Sequence, residues 1–335
     1  MRVSGYCFND AELSQFIGSS LTIGDCDFTH RHAPVIELSD LMDFFEELVG
    51  VFELNAASEQ SMIGIIQSDW NLFVNEDIAN AIMSEVLRNI GSALTINSMV
   101  SYNHEIQEVL VQWEKVKKSL KEDKRFFTDI DEFVTGTRLL SEFIKDTQDL
   151  SAGTSLYRAR LVTQGKSYFR KKDMGCPPKD KTTAGRANPI GIPYLYLSQD
   201  VETTFYEIRA SYLDHLSVGK FLIQRNLKMV DFTRTWSLYL LFNDNSIEEA
   251  VIQMKLFSTF SDDLSKPLRR YDTEIEYVPT QYLCEYCKTL GADAICFNSS
   301  LHTLGINYVL FNQEDAECVE VKKHTIKKIY LDDKE

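Results

Sequence analysis

About halfway along this chain, near Ser151–Ser155, the hydrophobic period changes, and that change limits the fold more than any other feature of the sequence. Before it, apolar residues recur every three or four positions, the spacing of helical faces. Leu38–Phe52 sets Leu38, Leu41, Phe44, Phe45 and Leu48 on one face, with Ser39-Asp40 as its cap. Asn75–Ile90 opens on Asn75-Glu76-Asp77 and then runs Ile78, Ile82, Val86, Ile90. The stretch from Asn103 to Lys124 carries Ile106, Val109, Leu110 and Trp113, and Asp129–Asp149 carries Phe133, Leu139, Leu140, Phe143 and Ile144. Faces of this kind pack as a helical bundle. After the Gly/Ser/Thr junction, short apolar runs bounded by Gly and Pro take over. Ser155–Val162, Ile192–Leu197, Gly219–Gln224, Leu227–Phe232, Ala294–Phe297, Asn307–Asn312 and Lys327–Leu331 read as strands, and Thr203–His215 and Thr280–Leu290 as helices. Few helices among many short strands indicate an α+β fold rather than a regular βαβ alternation. The expected organisation is a mainly helical domain over residues 1–150 and an α+β domain over residues 151–335.

Charge separates the same two halves. Residues 1–150 hold 11 Lys and Arg against 26 Asp and Glu, and residues 151–335 hold 24 against 24, so the whole excess of −15 lies in the first half. An acidic half repels phosphate backbones, which argues against nucleic acid as a partner and for a regulatory or docking role. The second half concentrates Arg158, Arg160, Lys166, Arg170, Lys171 and Lys172, enough to host a small anion. No apolar run approaches the roughly 20 residues of a membrane helix, and Met1–Gly5 has no apolar leader. Seven cysteines, odd in number and sparse, suit a reducing cytosol. A cytoplasmic protein with no membrane partner is expected.

Several residue patterns have chemistry to offer. Cys7, Cys26, His30 and His32 are the residue types of a structural zinc site, but there is no C-x-x-C pair among them, so a histidine would have to substitute. Cys284-Glu285-Tyr286-Cys287 is a lone C-x-x-C on an expected helix and reads as two buried thiols. Arg209 and His215 have the loose Arg/His spacing of some helical ribonucleases, but in the wrong half of the chain. Ala184–Pro193 packs two Gly and two Pro around Arg186, fixing an unusual backbone path. Tyr196 on a strand and Glu207 on a helix follow it, and all three could converge on one cleft; the alternative is a surface loop beside a helix-face carboxylate. Phe297–Tyr308 places hydroxyls after one strand and Gly-Ile-Asn before the next, either a turn or a ligand-facing hairpin.

Three segments together resemble a known family. LYRAR (Leu156–Arg160), AGRANPIGIPYLYLSQDVETTFYEIR (Ala184–Arg209) and PTQYLCEYCKTLGADAICFNSSLHTLGINYVLF (Pro279–Phe311) resemble, in that order, the RES domain, named for Arg, Glu and Ser. The likeness covers about residues 153–312. The first half resembles the amino-terminal domain fused to larger members, with its cysteine knuckle degenerate. The resemblance implies a fold like the diphtheria-toxin class of ADP-ribosyltransferases and an NAD⁺-degrading bacterial toxin or defence effector, plugged in the best-known members by an antitoxin. Carried over residue by residue, it implies Arg158 as the first arginine, Arg186 in the Gly-Arg motif, Tyr196 on the strand, Glu207 in the Glu-x-Arg helix and Ser299 as the serine. Ser300 is one place away as its rival.

On that reading NAD⁺ is the substrate, no other cofactor is required, and the activity is that of an NAD⁺ glycohydrolase or phosphorolase. A mono-ADP-ribosyltransferase and a non-catalytic nucleotide-binding module are the alternatives. The residue types suit the chemistry. Cleavage of the nicotinamide–ribose bond passes through an oxocarbenium-like state, which the Glu207 carboxylate would stabilise. Arg158 and Arg186 would take the pyrophosphate in forked geometry, Tyr196 would lie against the nicotinamide ring, and Ser299 would hydrogen-bond its carboxamide or a ribose hydroxyl. An antitoxin or regulatory protein is the expected partner, and the sequence sets no oligomeric state.

Overall fold

The computed structural model describes residues 1–126, 147–163, 165–234, 236–244, 246–266 and 273–328. The helix expected over Asp129–Asp149 lies outside the described residues except at its end, where Gln148–Leu150 is a strand. Of the strand expected over Lys327–Leu331, only Lys327 and Lys328 are described. The chain forms two compact units, Met1–Trp113 with Thr235–Leu256, and Glu114–Arg234 with Phe257–Glu335. Among the described residues, no helix is long and apolar enough to cross a membrane.

The first unit is mainly helical. Its strands β1 (Arg2–Ser4), β2 (Ile23–Asp25) and β3 (His32–Glu37) form a sheet in the order β1-β3-β2, and β4 (Phe52–Leu54) pairs with β5 (Val100–Tyr102). Around them stand α1 (Ala11–Gly18), α2 (Met42–Gly50), α3 (Met62–Trp70), α4 (Glu76–Asn89) and the first half of α5 (His104–Glu122), which passes into the second unit after Trp113. Ser39-Asp40 does not start a helix as expected: Glu37 takes the N-cap place of a 3₁₀ turn, where Asp40 accepts its amide at 3.2 Å, and α2 has no side-chain cap. Asn75 accepts the Ile78 amide at 2.9 Å to start α4, and Asn103 accepts the Ile106 amide at 3.1 Å to start α5. The stretch Leu38–Phe52 is less regular than its periodicity suggests: a 3₁₀ turn at Leu38–Leu41 precedes α2, and Phe52 enters β4. The small strands escape periodicity because most are three residues long, too short to alternate visibly. Phe8, Phe44, Phe45 and Phe73 pack as an aromatic core, Phe44 against Phe45 at 5.2 Å and Phe8 against Phe73 at 5.6 Å.

The second unit is built on one eight-stranded sheet. Its strands are β6 (Gln148–Leu150), β7 (Ser155–Leu161), β8 (Leu195–Ser198), β9 (His215–Ile223), β10 (Leu227–Asp231), β11 (Ala294–Asn298), β12 (Ile306–Leu310) and β13 (Ala316–Thr325). They lie in the order β13-β9-β7-β8-β12-β11-β10-β6, and only β10 and β11 run parallel. The helices are α6 (Val201–Glu207), then α7 (Leu238–Asp244), which belongs to the first unit, α8 (Ile247–Ser265), which belongs to the first unit up to Leu256 and to the second from Phe257, and α9 (Val278–Thr289). The protein is therefore α+β, with strands close to those expected from the sequence. Leu156, Leu195, Leu197, Phe221, Ile223, Ala294 and Leu310 pack together as its core. The edge strand β13 escapes the apolar pattern because its ten residues carry Glu317, Glu320, Lys322 and Lys323, charges that suit an exposed edge. Cys284 and Cys287 lie fully buried in α9, and burial pushes both thiols up. The expected helix Thr203–His215 is shorter. Asp200 accepts the Thr203 amide at 2.8 Å to start α6, which ends at Glu207, and Arg209 then takes a left-handed φ of 52° that no helix continues through.

Candidate active site

Glu207 is the last residue of α6. A carboxylate there gains nothing from the helix dipole, whose negative end is nearby, so side chains must hold it. Ser299 follows β11, and its hydroxyl accepts the amides of Leu301 at 3.2 Å and His302 at 3.1 Å. With its acceptor positions taken, the hydroxyl turns its proton to Glu207 Oε1 at 2.7 Å. Asn307 on β12 donates its amide to the same oxygen, also at 2.7 Å, because its own Oδ1 accepts the Ser198 hydroxyl at 3.0 Å. Strand register creates this meeting: Asn307 stands opposite Phe297 on β11 and opposite Ser198 on β8. Glu207 is thus held through one oxygen, and its Oε2 accepts no hydrogen bond from the described residues. Ser300 is exposed and takes no part.

The loop Ala184–Pro193 is fastened by side chains as well as by its Gly and Pro. Asn188, buried, donates to the carbonyls of Thr183, Pro189 and Ile192 at 3.0–3.1 Å and accepts the Tyr196 hydroxyl at 2.8 Å. From α9, Thr280 donates to the Arg186 carbonyl at 2.7 Å, and Gln281 donates to those of Gly185 at 2.8 Å and Asn188 at 3.1 Å. Gly191 has φ 82° and uses the freedom of glycine. Gly185 is needed for space instead: a Cβ there would stand 2.5 Å from Asn188 Oδ1 and 2.7 Å from the Tyr196 hydroxyl. Burial pushes the Tyr196 phenol up, so it stays protonated and keeps its hydrogen bond to Asn188. The Arg186 Nη1 donates to the carbonyls of Leu264 at 2.9 Å and Ser265 at 3.0 Å, at the end of α8.

These elements enclose a cavity of about 450 Å³ in the second unit, on which Arg158, Arg186, Tyr196, Glu207, Arg209 and Asn307 all open. Arg158 and Arg160, two apart on β7, both donate to the Gly175 carbonyl, at 3.3 Å and 2.5 Å. Burial, reinforced by the neighbouring Arg160 charge, brings the Arg158 guanidinium down to about 10, still protonated at neutral pH. The site can therefore present a fixed carboxylate and a cation to one ligand.

A family model for the RES domain matches residues 155–332, more than half of the chain. The chain belongs to the RES domain family. That family is associated with NAD-related toxin activity. No curated protein matches the chain.

Within the RES domain, the geometry gathers Arg158, Arg186, Tyr196, Glu207 and Ser299 around one cavity or against its walls. Asn307 and Ser198 are site residues that the sequence does not point to. The only signal for Asn307 is its place in the Gly-Ile-Asn that opens β12, and Ser198 has none. His215 stands apart at the start of β9, hydrogen-bonded to Thr325 at 2.9 Å. Cys7 and Cys26, both buried in the first unit, have their sulfurs 3.5 Å apart. Burial pushes the Cys7 thiol up to about 12. Burial also opposes ionisation of Cys26, but hydrogen bonds from Ser4 and Thr29 bring its thiol down to about 7. His32 is exposed and bonded to Asp25 at 2.8 Å, and His30 is exposed with φ 55°. Zinc would need four donors; among the described residues, no group of three or more His, Cys, Asp or Glu is placed to share an ion.

Proposed function

We propose that this RES domain cleaves the nicotinamide–ribose bond of NAD⁺, as a glycohydrolase or phosphorolase. The observation that carries the reading is Glu207, anchored through one oxygen by Ser299 and Asn307 and lining a cavity that the Arg158 guanidinium also lines. In the reaction the C–N bond breaks, and nicotinamide leaves with the bonding pair as a neutral molecule. Positive charge develops at the ribose anomeric carbon, where the free carboxylate oxygen stabilises it. Water or phosphate then forms the new bond to that carbon, and water releases its proton to solvent. A single carboxylate suffices because the leaving group is already cationic in NAD⁺. Depletion of NAD⁺ by such a reaction accounts for a toxin or defence effector, with an antitoxin or regulatory protein as the partner.

The test is incubation of the full chain with NAD⁺, with and without phosphate. Nicotinamide with ADP-ribose in both conditions identifies hydrolysis, and a phosphorylated ADP-ribose appearing with phosphate identifies phosphorolysis. NAD⁺ left intact would refute both, and turnover that waits on an added protein acceptor would identify a transferase.

A further inference from the structure

The turn between β11 and β12 sets the Ser299 hydroxyl on Glu207, and the turn must itself be held. Its backbone closes on itself: Ser299 donates its amide to the Gly305 carbonyl at 2.7 Å, and Gly305 donates to the His302 carbonyl at 3.1 Å. From this turn the His302 side chain reaches α6. Its ring stacks on that of Tyr206, the residue before Glu207, with centres 4.6 Å apart and planes 6° from parallel. Its Nδ1 lies 2.8 Å from the hydroxyl oxygen of Thr203, which is buried in the same helix. The Thr203 hydroxyl in turn lies 2.7 Å from Asp200 Oδ2. Gly305 leaves room for these contacts, since a Cβ there would stand 2.8 Å from Thr203 Oγ1 and 2.9 Å from His302 Nδ1.

The direction of each bond follows from the protons present. Burial opposes ionisation of the Asp200 carboxyl, but the amide and hydroxyl of Thr203 bring it below its ordinary value, so at neutral pH it only accepts. Thr203 has a single hydroxyl proton and gives it to Asp200. The contact with His302 therefore runs the other way, from an Nδ1–H to the Thr203 oxygen. On the main chain the His302 amide donates to Ser299 Oγ at 3.1 Å, and Ser299 donates to Glu207 Oε1 at 2.7 Å. One run of bonds thus leaves α6 at Asp200, its N-cap, and returns to it at Glu207, its last residue. We propose that Asp200, Thr203 and His302 are positioning residues that clamp the turn to α6, so that Ser299 keeps its hydrogen bond to Glu207 and the carboxylate keeps its place at the cavity. The effect on catalysis rests on the NAD⁺ reading above; the clamp does not. A displacement of about 1 Å in a reacting group is enough to cost about 100-fold in rate, which is what such a clamp prevents.

The test is Thr203→Val in the full chain, which removes the hydroxyl and keeps the helix cap, because Asp200 accepts the Thr203 main-chain amide at 2.8 Å. The variant should release nicotinamide with kcat lowered about 10- to 100-fold and KM for NAD⁺ within about twofold, the split expected when only the transition state loses an interaction. Thr203→Ser restores the hydroxyl and should return kcat to within about threefold of wild type. In a Ser299→Ala background Thr203→Val should lower kcat by less than about twofold more, because the clamp acts through Ser299. His302→Phe keeps a ring over Tyr206, loses the Nδ1 donor and carries the same expectations; it decides the matter if Thr203→Val does not fold. Losses that multiply in the Ser299→Ala background, or wild-type kcat in a folded variant, would overturn the proposal. Amide hydrogen exchange gives a reading without turnover. The amides of Leu301 and His302, which donate to Ser299 Oγ, should exchange about tenfold or more faster in the variant, with the amides of β8 and β9 unchanged. Unchanged exchange at Leu301 and His302 would overturn the clamp whether or not NAD⁺ is consumed. NAD⁺ consumption with exchange and kcat both unmoved by the variant sinks only this inference. Faster exchange in a chain that leaves NAD⁺ intact sinks only the reading of the reaction.

Discussion

Replacing Glu207 by Gln isolates the charge of the carboxylate from its structural bonds. In the folded protein Glu207 Oε1 accepts two hydrogen bonds, from the Ser299 hydroxyl and the Asn307 amide. A Gln keeps an oxygen for both of them and puts its amide nitrogen where the free oxygen stood. Alanine would instead strand both donors and confuse lost chemistry with lost stability, at about 1–3 kcal/mol for each orphaned group. What Gln removes is the attraction between a full negative charge and the cationic ribose carbon. At about 4 Å and an effective dielectric near 20, that attraction is about 4 kcal/mol. Loss of a single stabilising donor to a transition state costs about 2.7–4 kcal/mol, which agrees. The expected result is a fall in kcat of about 100- to 1,000-fold, measured as nicotinamide released at saturating NAD⁺. The melting temperature should move by no more than about 2 °C, as suits a change well below 1 kcal/mol in stability. A variant that releases nicotinamide within about threefold of the wild-type rate at an unchanged Tm would remove Glu207 from the reaction.

Gly185→Ala should drive the Tyr196 hydroxyl off Asn188, since the new Cβ would lie 2.7 Å from one and 2.5 Å from the other; a loss of about 1–3 kcal/mol by denaturant unfolding is expected, and unchanged stability would show that the loop is not built around that bond. Arg186→Ala removes the donor to the Leu264 and Ser265 carbonyls and should cost about 1–3 kcal/mol; an unaltered Tm would make the α8 cap dispensable. The Asp293 carboxyl is held below its ordinary value by the Arg225 guanidinium and by the Lys228 amide. Its folded-state value is the lower one, so its contribution is complete above the unfolded value of about 4 and is lost as pH falls through the folded value. Asp293→Asn should therefore melt below wild type at pH 7, and the gap should narrow as the pH drops below about 4; a gap independent of pH would mean that the charge contributes nothing.

Residues that act locally are legible in the sequence alone. Asn75 caps the helix it precedes, the Gly- and Pro-bounded apolar runs are strands, and the buried thiols of Cys284 and Cys287 lie on a helix. Each depends on neighbours a few positions away, which is the range over which hydrogen-bond spacing and burial pattern leave a mark on sequence. The RES motifs extend that reading to Arg158, Arg186, Tyr196, Glu207 and Ser299, because a family likeness carries long-range arrangement that periodicity cannot. What the tertiary structure decides is which groups meet. Ser299 reaches Glu207 and Ser300 does not, because the Leu301 and His302 amides hold the first hydroxyl in place. Asn307 and Ser198 join the site only through the register of β8, β12 and β11, a relation between segments about 100 residues apart. Arg186 is turned to a helix end and Arg160 to the side of Arg158 by packing that no local spacing encodes. The chain's local chemistry settles its elements, and the sheet that brings distant strands into register settles which side chains converge.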